Sequence, residues 1–175
     1  IEYLKAGQPA PLEVWTQLLT AGGEAVAGFA AVGLSTGLAS LDRPLLAVVT
    51  HYLEDLKKLR EAAMELASKL PRKAFAADLV VVSRDAPGSV AKLAKLVHKN
   101  DPKGPITFLS ASKAPAWCLA YGVTSQLAEV GVSVFVVDKA TGQLFAVAYD
   151  RDPLRVAEFL KKATGVYEQR QQPKK

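Results

Sequence analysis

Between positions 44 and 109, short unbroken apolar runs alternate with segments of helical periodicity, and this alternation restricts the fold more than any other feature of the chain. Residues 45–49 (LLAVV) have no polar position on either side, as a strand requires when both faces of its sheet are covered. Residues 51–70 then carry Leu53, Leu56, Leu59, Ala63, Leu66, Ala67 and Leu70 at helical spacing and stop at Pro71. A second strand is expected at 79–83 (LVVVS), a helix at 89–99 with Val90, Leu93, Ala94 and Val97 on one side, and a third strand at 106–109. Strand, helix, strand, helix, strand is the signature of a parallel sheet with right-handed crossovers.

The pattern changes beyond residue 110. A helical or irregular stretch around 115–120 is followed by VSVFVV at 132–137, the turn Asp138-Lys139-Ala140-Thr141-Gly142-Gln143, and LFAVA at 144–148. Strands joined this tightly must be antiparallel. Pro153 opens a helix over 154–163, with Gly165 as its stop, and the basic stretch 166–175 is expected to be a flexible tail. The expected architecture is an α/β domain over 1–165, a central mixed sheet with helices on both faces. Before it, Pro9, Pro11 and Gly7 suggest an extended lead-in, and the apolar segment 12–19 two helical turns. Within the domain, residues 22–43 form a Gly/Ala-rich insertion whose core, 25–41 (AVAGFAAVGLSTGLASL), has no charge. That run is shorter and weaker than a membrane span, so membrane contact is not expected; a buried helix or hairpin, or a contact surface for a second copy or another protein over 22–41, remains open.

Several chemistries are excluded by counts alone. One cysteine, Cys118, permits no internal disulfide, and with only His51 and His98 beside it no zinc or iron–sulfur ligand set exists. No cofactor is expected. No phosphate-binding glycine loop, dinucleotide fingerprint or serine-hydrolase elbow occurs, and Gly33 and Gly37 in GxxxG spacing signal only close backbone approach. A triad using Ser83 or Ser110 would need strand ends to converge, and Asp150-Arg151-Asp152 is too short for a calcium loop. The net charge of +5 comes from bases that mostly interleave with acids. Tyr3, Trp15, Trp117 and Phe135 are spread along the chain, so no nucleic-acid partner is expected. The lone thiol favours a reducing compartment such as the cytoplasm without fixing it.

Three phrases, in order, resemble the thioredoxin-like superfamily in its peroxiredoxin and redoxin branch. Gly7-Gln8-Pro9-Ala10-Pro11 is similar to the lead-in of those proteins, Ala120-Tyr121-Gly122-Val123 to the segment after the third core strand, and 134–144 (VFVVDKATGQL) to their hairpin. The resemblance implies a three-layer thioredoxin-like fold and a thiolate at the start of the helix after the first core strand, where free backbone N–H groups lower a cysteine pKa. The corresponding stretch, Val49-Thr50-His51-Tyr52-Leu53-Glu54, has no cysteine: His51 or Tyr52 falls at the catalytic position, Thr50 near the peroxide-binding threonine, and Glu54 beside them. Val132-Ser133 stands where relatives carry a cis-proline or an arginine-containing segment. These residues form a vestigial active-site rim, and the ordinary thiol mechanism is expected to be absent.

Three functions follow as expectations. The first is a redox-inactive domain acting through protein interaction or assembly. The second is a single-cysteine thiol oxidoreductase or peroxidase using Cys118, which would need exposure and a cation such as Lys113 or a helix start at Pro115. The third is small-molecule binding at the rim around His51. A buried, structural Cys118 fits only the first or the third.

Overall fold

The computed structural model describes residues 3–29, 43–51, 56–70, 75–99, 106–123 and 131–171. Its strands are β1 (Leu19–Thr20), β2 (Leu45–Thr50), β3 (Ala77–Ser83), β4 (Ile106–Ser110), β5 (Val132–Asp138) and β6 (Leu144–Arg151). Its helices are α1 (Leu56–Lys69), α2 (Pro87–Val97), α3 (Pro115–Ala120) and α4 (Val156–Gln171). The strands form one sheet in the order β1-β4-β3-β2-β5-β6. β2, β3 and β4 are parallel, while β5, β6 and β1 join antiparallel, so the sheet is mixed.

The continuous apolar runs are central strands covered on both sides. Every residue of β2, β3 and β4 is buried, and the pleat divides them between two cores. On one face Leu45, Ala47, Val49, Leu79, Val81 and Val134 meet the apolar stripes of α1, α2 and α4. α1 contributes Leu59, Ala62, Ala63 and Leu66, the i, i+3, i+4, i+7 set of an amphipathic helix. On the other face Leu46, Val48, Val80, Val82 and Phe135 meet α3 and a 3-10 turn at Glu13–Gln17. This is the expected α/β three-layer arrangement, with one face covered by three long helices and the other by a short helix and the N-terminal lead-in.

Several local expectations are corrected. The expected two turns over 12–19 reduce to the 3-10 turn and β1, because Leu18 to Val26 folds as a hairpin, closed by Thr20 N–H to Glu24 O (2.7 Å) and Val26 N–H to Leu18 O (3.0 Å). α2 starts at Pro87, whose missing N–H suits a first helical turn. α4 does not stop at Gly165 and runs to Gln171, so residues 166–171 are helix rather than flexible tail. Tyr167 packs edge-on against Phe145 of β6 at 5.5 Å, and the Arg170 guanidinium sits 5.3 Å from the same ring. These contacts hold the last turns on the sheet against the cost of an interior glycine, about 1 kcal/mol.

Two features tie the sheet edges together. Asp78, buried near the start of β3, is paired with Lys139 from the β5–β6 turn and with Arg43 ahead of β2 (3.8 Å). At the other end, Gly131 lets β5 pass against β6: a Cβ there would stand 2.4 Å from the Arg151 carbonyl oxygen and 2.6 Å from its nitrogen. Asp150, just before, takes a left-handed φ of 56°, and the β5–β6 register shifts beside it.

Candidate functional site

The carboxyl ends of β2, β3 and β4 lie at one edge of the sheet, where folds of this kind bring functional side chains together. Thr50 ends β2, is fully buried, and donates its hydroxyl to the Val82 carbonyl of β3 at 2.8 Å. Ser133 of β5 is its register partner across the antiparallel pair and is also buried. Thr50 and Ser133 therefore share a sheet face, whereas Val132 points into the opposite core with Val134 and Val136. His51 follows Thr50 and is buried at 1% exposure, outside any helix. Tyr52 and Glu54 lie outside the described residues. The rim residues that are described are thus packed in the domain, and the Thr50 hydroxyl is held by backbone.

The neighbouring hydroxyls have structural partners too. Ser83 donates to Asp85 Oδ2 (2.8 Å), and its oxygen accepts the Asp85 N–H (3.0 Å). Ser110 donates to the Asp85 carbonyl at 2.6 Å. Strand ends do converge here, and what they close is the turn leading from β3 into α2. His98 caps α2 through its backbone N–H to Ala94 O (2.9 Å), and its ring packs edge-on against Phe108 at 5.4 Å.

Cys118 lies in α3, on the face away from the long helices, and is 6% exposed. Its N–H already bonds the Ala114 carbonyl at 3.1 Å, so it sits inside the helical ladder rather than at a free helix start. Burial pushes the thiol pKa above its ordinary value, and the Arg84 guanidinium pulls only partly against it. The cation whose charge acts on the thiol is Arg84, which follows β3. A thiol in this setting stays protonated at neutral pH and behaves as a small apolar side chain.

Around Cys118, aromatic side chains far apart in sequence come together. Tyr121 stacks on Trp117 (4.6 Å between ring centres, 23° between planes) and meets Phe135 edge-on at 5.1 Å. Its hydroxyl accepts the Trp15 indole N–H at 2.7 Å and donates to the Pro11 carbonyl at 2.7 Å. The Tyr121 carbonyl accepts the Tyr149 hydroxyl at 2.8 Å, which in turn accepts the Leu4 N–H at 3.0 Å. Burial raises the pKa of both phenols. Sequence reading left these aromatics scattered. The signal that could have joined them was the Tyr-Gly pair at 121–122, a helix stop that had to pack against the lead-in.

The three phrases that carried the resemblance meet at this cluster. Gly122, at φ 68°, is the left-handed residue after α3, with its N–H on Leu119 O (3.1 Å) and the Val123 N–H on Cys118 O (2.8 Å), the Schellman helix stop. The lead-in pairs with the hairpin through Ala10 N–H to Gly142 O (2.9 Å) and Leu144 N–H to Gln8 O (2.8 Å). Together they form an aromatic clamp.

No helix among the described residues is long and apolar enough to cross a membrane. No protein-family model matches the chain, and no curated relative matches it either. Solved structures do. A peroxiredoxin-like protein from Aquifex aeolicus aligns with a TM-score of 0.62 at 18% identity, covering 95% of this chain and 90% of its own. The bacterioferritin comigratory protein of Xanthomonas campestris gives 0.66 at 16%, covering 93% and 98%. Peroxidoxin BcpB of Mycobacterium tuberculosis gives 0.66 at 14%, covering 94% and 98%. The likeness at this identity is one of architecture, and the chain has the thioredoxin-like fold of the peroxiredoxins, with its only cysteine in α3 instead of at the start of the helix after β2.

Proposed function

We infer that this is a redox-inactive domain of peroxiredoxin architecture that acts through protein contacts. The observation that carries the reading is the state of Cys118: the only thiol in the chain is buried, bonded into α3, and shifted toward its protonated form. A peroxidatic centre needs a thiolate that peroxide can reach. The rim gives further support, because no cysteine follows β2 and the Thr50 hydroxyl engages a strand carbonyl. Residues 22–41, with their uncharged core 25–41, are the proposed contact segment, for a second copy or another protein. Of that run, Val26 is buried and Phe29 meets Trp15 edge-on at 5.3 Å, while residues 30–41 lie outside the described residues.

The test is labelling of the native protein with a thiol-specific probe from about pH 5 to about pH 9, beside an unfolded control and a peroxide-consumption assay. Labelling of Cys118 only on unfolding, with no peroxide consumed, is the expected result. Rapid native labelling with an apparent pKa below about 7.5 would replace this reading with a single-cysteine peroxidase acting through Cys118 and Arg84. For the contact half, Val32→Lys with Leu34→Lys is expected to abolish association measured by sedimentation. Association unchanged by that double substitution would remove the segment from the proposal.

A further inference from the structure

The first turns of α1 and the length of α2 enclose an open groove of about 450 Å³ on the side of the molecule opposite the aromatic clamp. Its apolar wall residues are Leu56 from α1 and Leu93 and Leu96 from α2. Lys57 and Arg60 line it from α1 and Lys92 from α2, and no acidic residue lines it among those described. Leu96 is 46% exposed, and Met64, one turn beyond Arg60 on α1, is 47% exposed. Side chains of this size are usually covered when they cluster.

We propose that this groove is a docking site for an acidic amphipathic helix of a partner protein. An aliphatic floor between two helices accepts a leucine stripe at i, i+4 and i+7, the helix-in-groove mode. The three surrounding cations then select glutamates or aspartates beside that stripe, since each basic head sits on an apolar stem that can cover the incoming helix. A basic segment is rejected by the same three charges. The proposal rests on the interaction reading above and names a second surface, distinct from residues 22–41, together with the chemistry it selects. The two readings fail separately: reactive labelling of Cys118 leaves groove binding untouched, and loss of groove binding leaves Cys118 labelling unchanged.

The probe is a fluorescein-labelled helical peptide with leucines at i, i+4 and i+7 and glutamates on the flanking positions, followed by anisotropy at low salt. Saturable binding is expected, weakened at least about tenfold by Arg60→Glu with Lys92→Glu and several-fold by Leu96→Ser. The paired glutamine substitutions, which remove the two charges without reversing them, are expected to give an intermediate loss, and each variant is checked by its thermal midpoint. Equal binding of the charge-reversed variant, or of a peptide with lysines in place of the glutamates, overturns the proposal. Two further results also overturn it: decanoate binding where the peptide does not, which makes the groove a site for small anionic amphiphiles, and self-association abolished by the same substitutions, which makes a second copy the occupant.

Discussion

The aromatic clamp and the carboxyl end of β2 are both buried and both contain polar side chains, yet they are built differently. In the clamp, long-range bonds run between segments more than a hundred residues apart, as from Trp15 and Pro11 to Tyr121. At the rim, the Thr50 hydroxyl reaches only the adjacent strand. The clamp therefore closes the chain, tying the lead-in to α3 and the hairpin, whereas the rim finishes a strand. The three phrases that carry the resemblance lie in the clamp and not at the end of β2.

Removal of the clamp's centre should give the largest effect. Tyr121→Ala deletes a fully buried ring and strands the Trp15 N–H and the Pro11 carbonyl, and a loss of about 3–5 kcal/mol in urea unfolding is expected. A loss below about 1 kcal/mol would mean that the clamp does not close the fold. Next comes the start of β5, beside the rim. Gly131→Ala drives a methyl group into the Asp150–Arg151 backbone and is expected to cost about 1–3 kcal/mol or more, with chemical-shift changes concentrated on β5 and β6.

A milder cut separates packing from hydrogen bonding. Tyr121→Phe keeps the ring and removes the hydroxyl, for an expected loss of about 1–3 kcal/mol at neutral pH. The same phenol makes stability fall in alkali. Its pKa is raised in the fold, so the unfolded chain releases that proton first, and the associated stability is complete below about pH 10 and declines as pH rises above it. The Tyr121→Phe variant should show a shallower decline in thermal midpoint above that pH; an identical decline would assign the effect to other groups. The smallest effect compares two indoles. Trp15 donates its N–H to Tyr121, while the buried Trp117 N–H has no partner among the described residues. Trp15→Phe should therefore cost about 1 kcal/mol more than Trp117→Phe, and equal costs would place the clamp's energy in packing alone.

How much of this was legible in the sequence depended on the range of the determining interactions. β2, β3 and β4 were legible because unbroken apolar runs admit few alternatives, and the β5–β6 hairpin because its turn is short. α4 was misjudged at Gly165, where local helix propensity favours a stop and the contacts of Tyr167 and Arg170 with Phe145 outweigh it. β1 was missed because two residues carry no periodicity; Leu19 and Thr20 become a strand only beside Ser110 and Leu109. At the candidate site, the missing cysteine was plain from the residues, but the cation acting on Cys118 was not, since Arg84 follows β3 and lies more than thirty residues from α3 in sequence.

The sequence by itself determined the layer architecture, the strand and helix order, and the lack of a thiol after β2, because periodicity and residue identity are local properties. The tertiary structure decided that Cys118 is buried, that the Arg84 charge acts on its thiol, and that aromatics from positions 15 to 149 make one clamp. Those outcomes depend on which side chains exclude water from one another, and solvent exclusion is set by segments distant in sequence packing on the same face of the sheet.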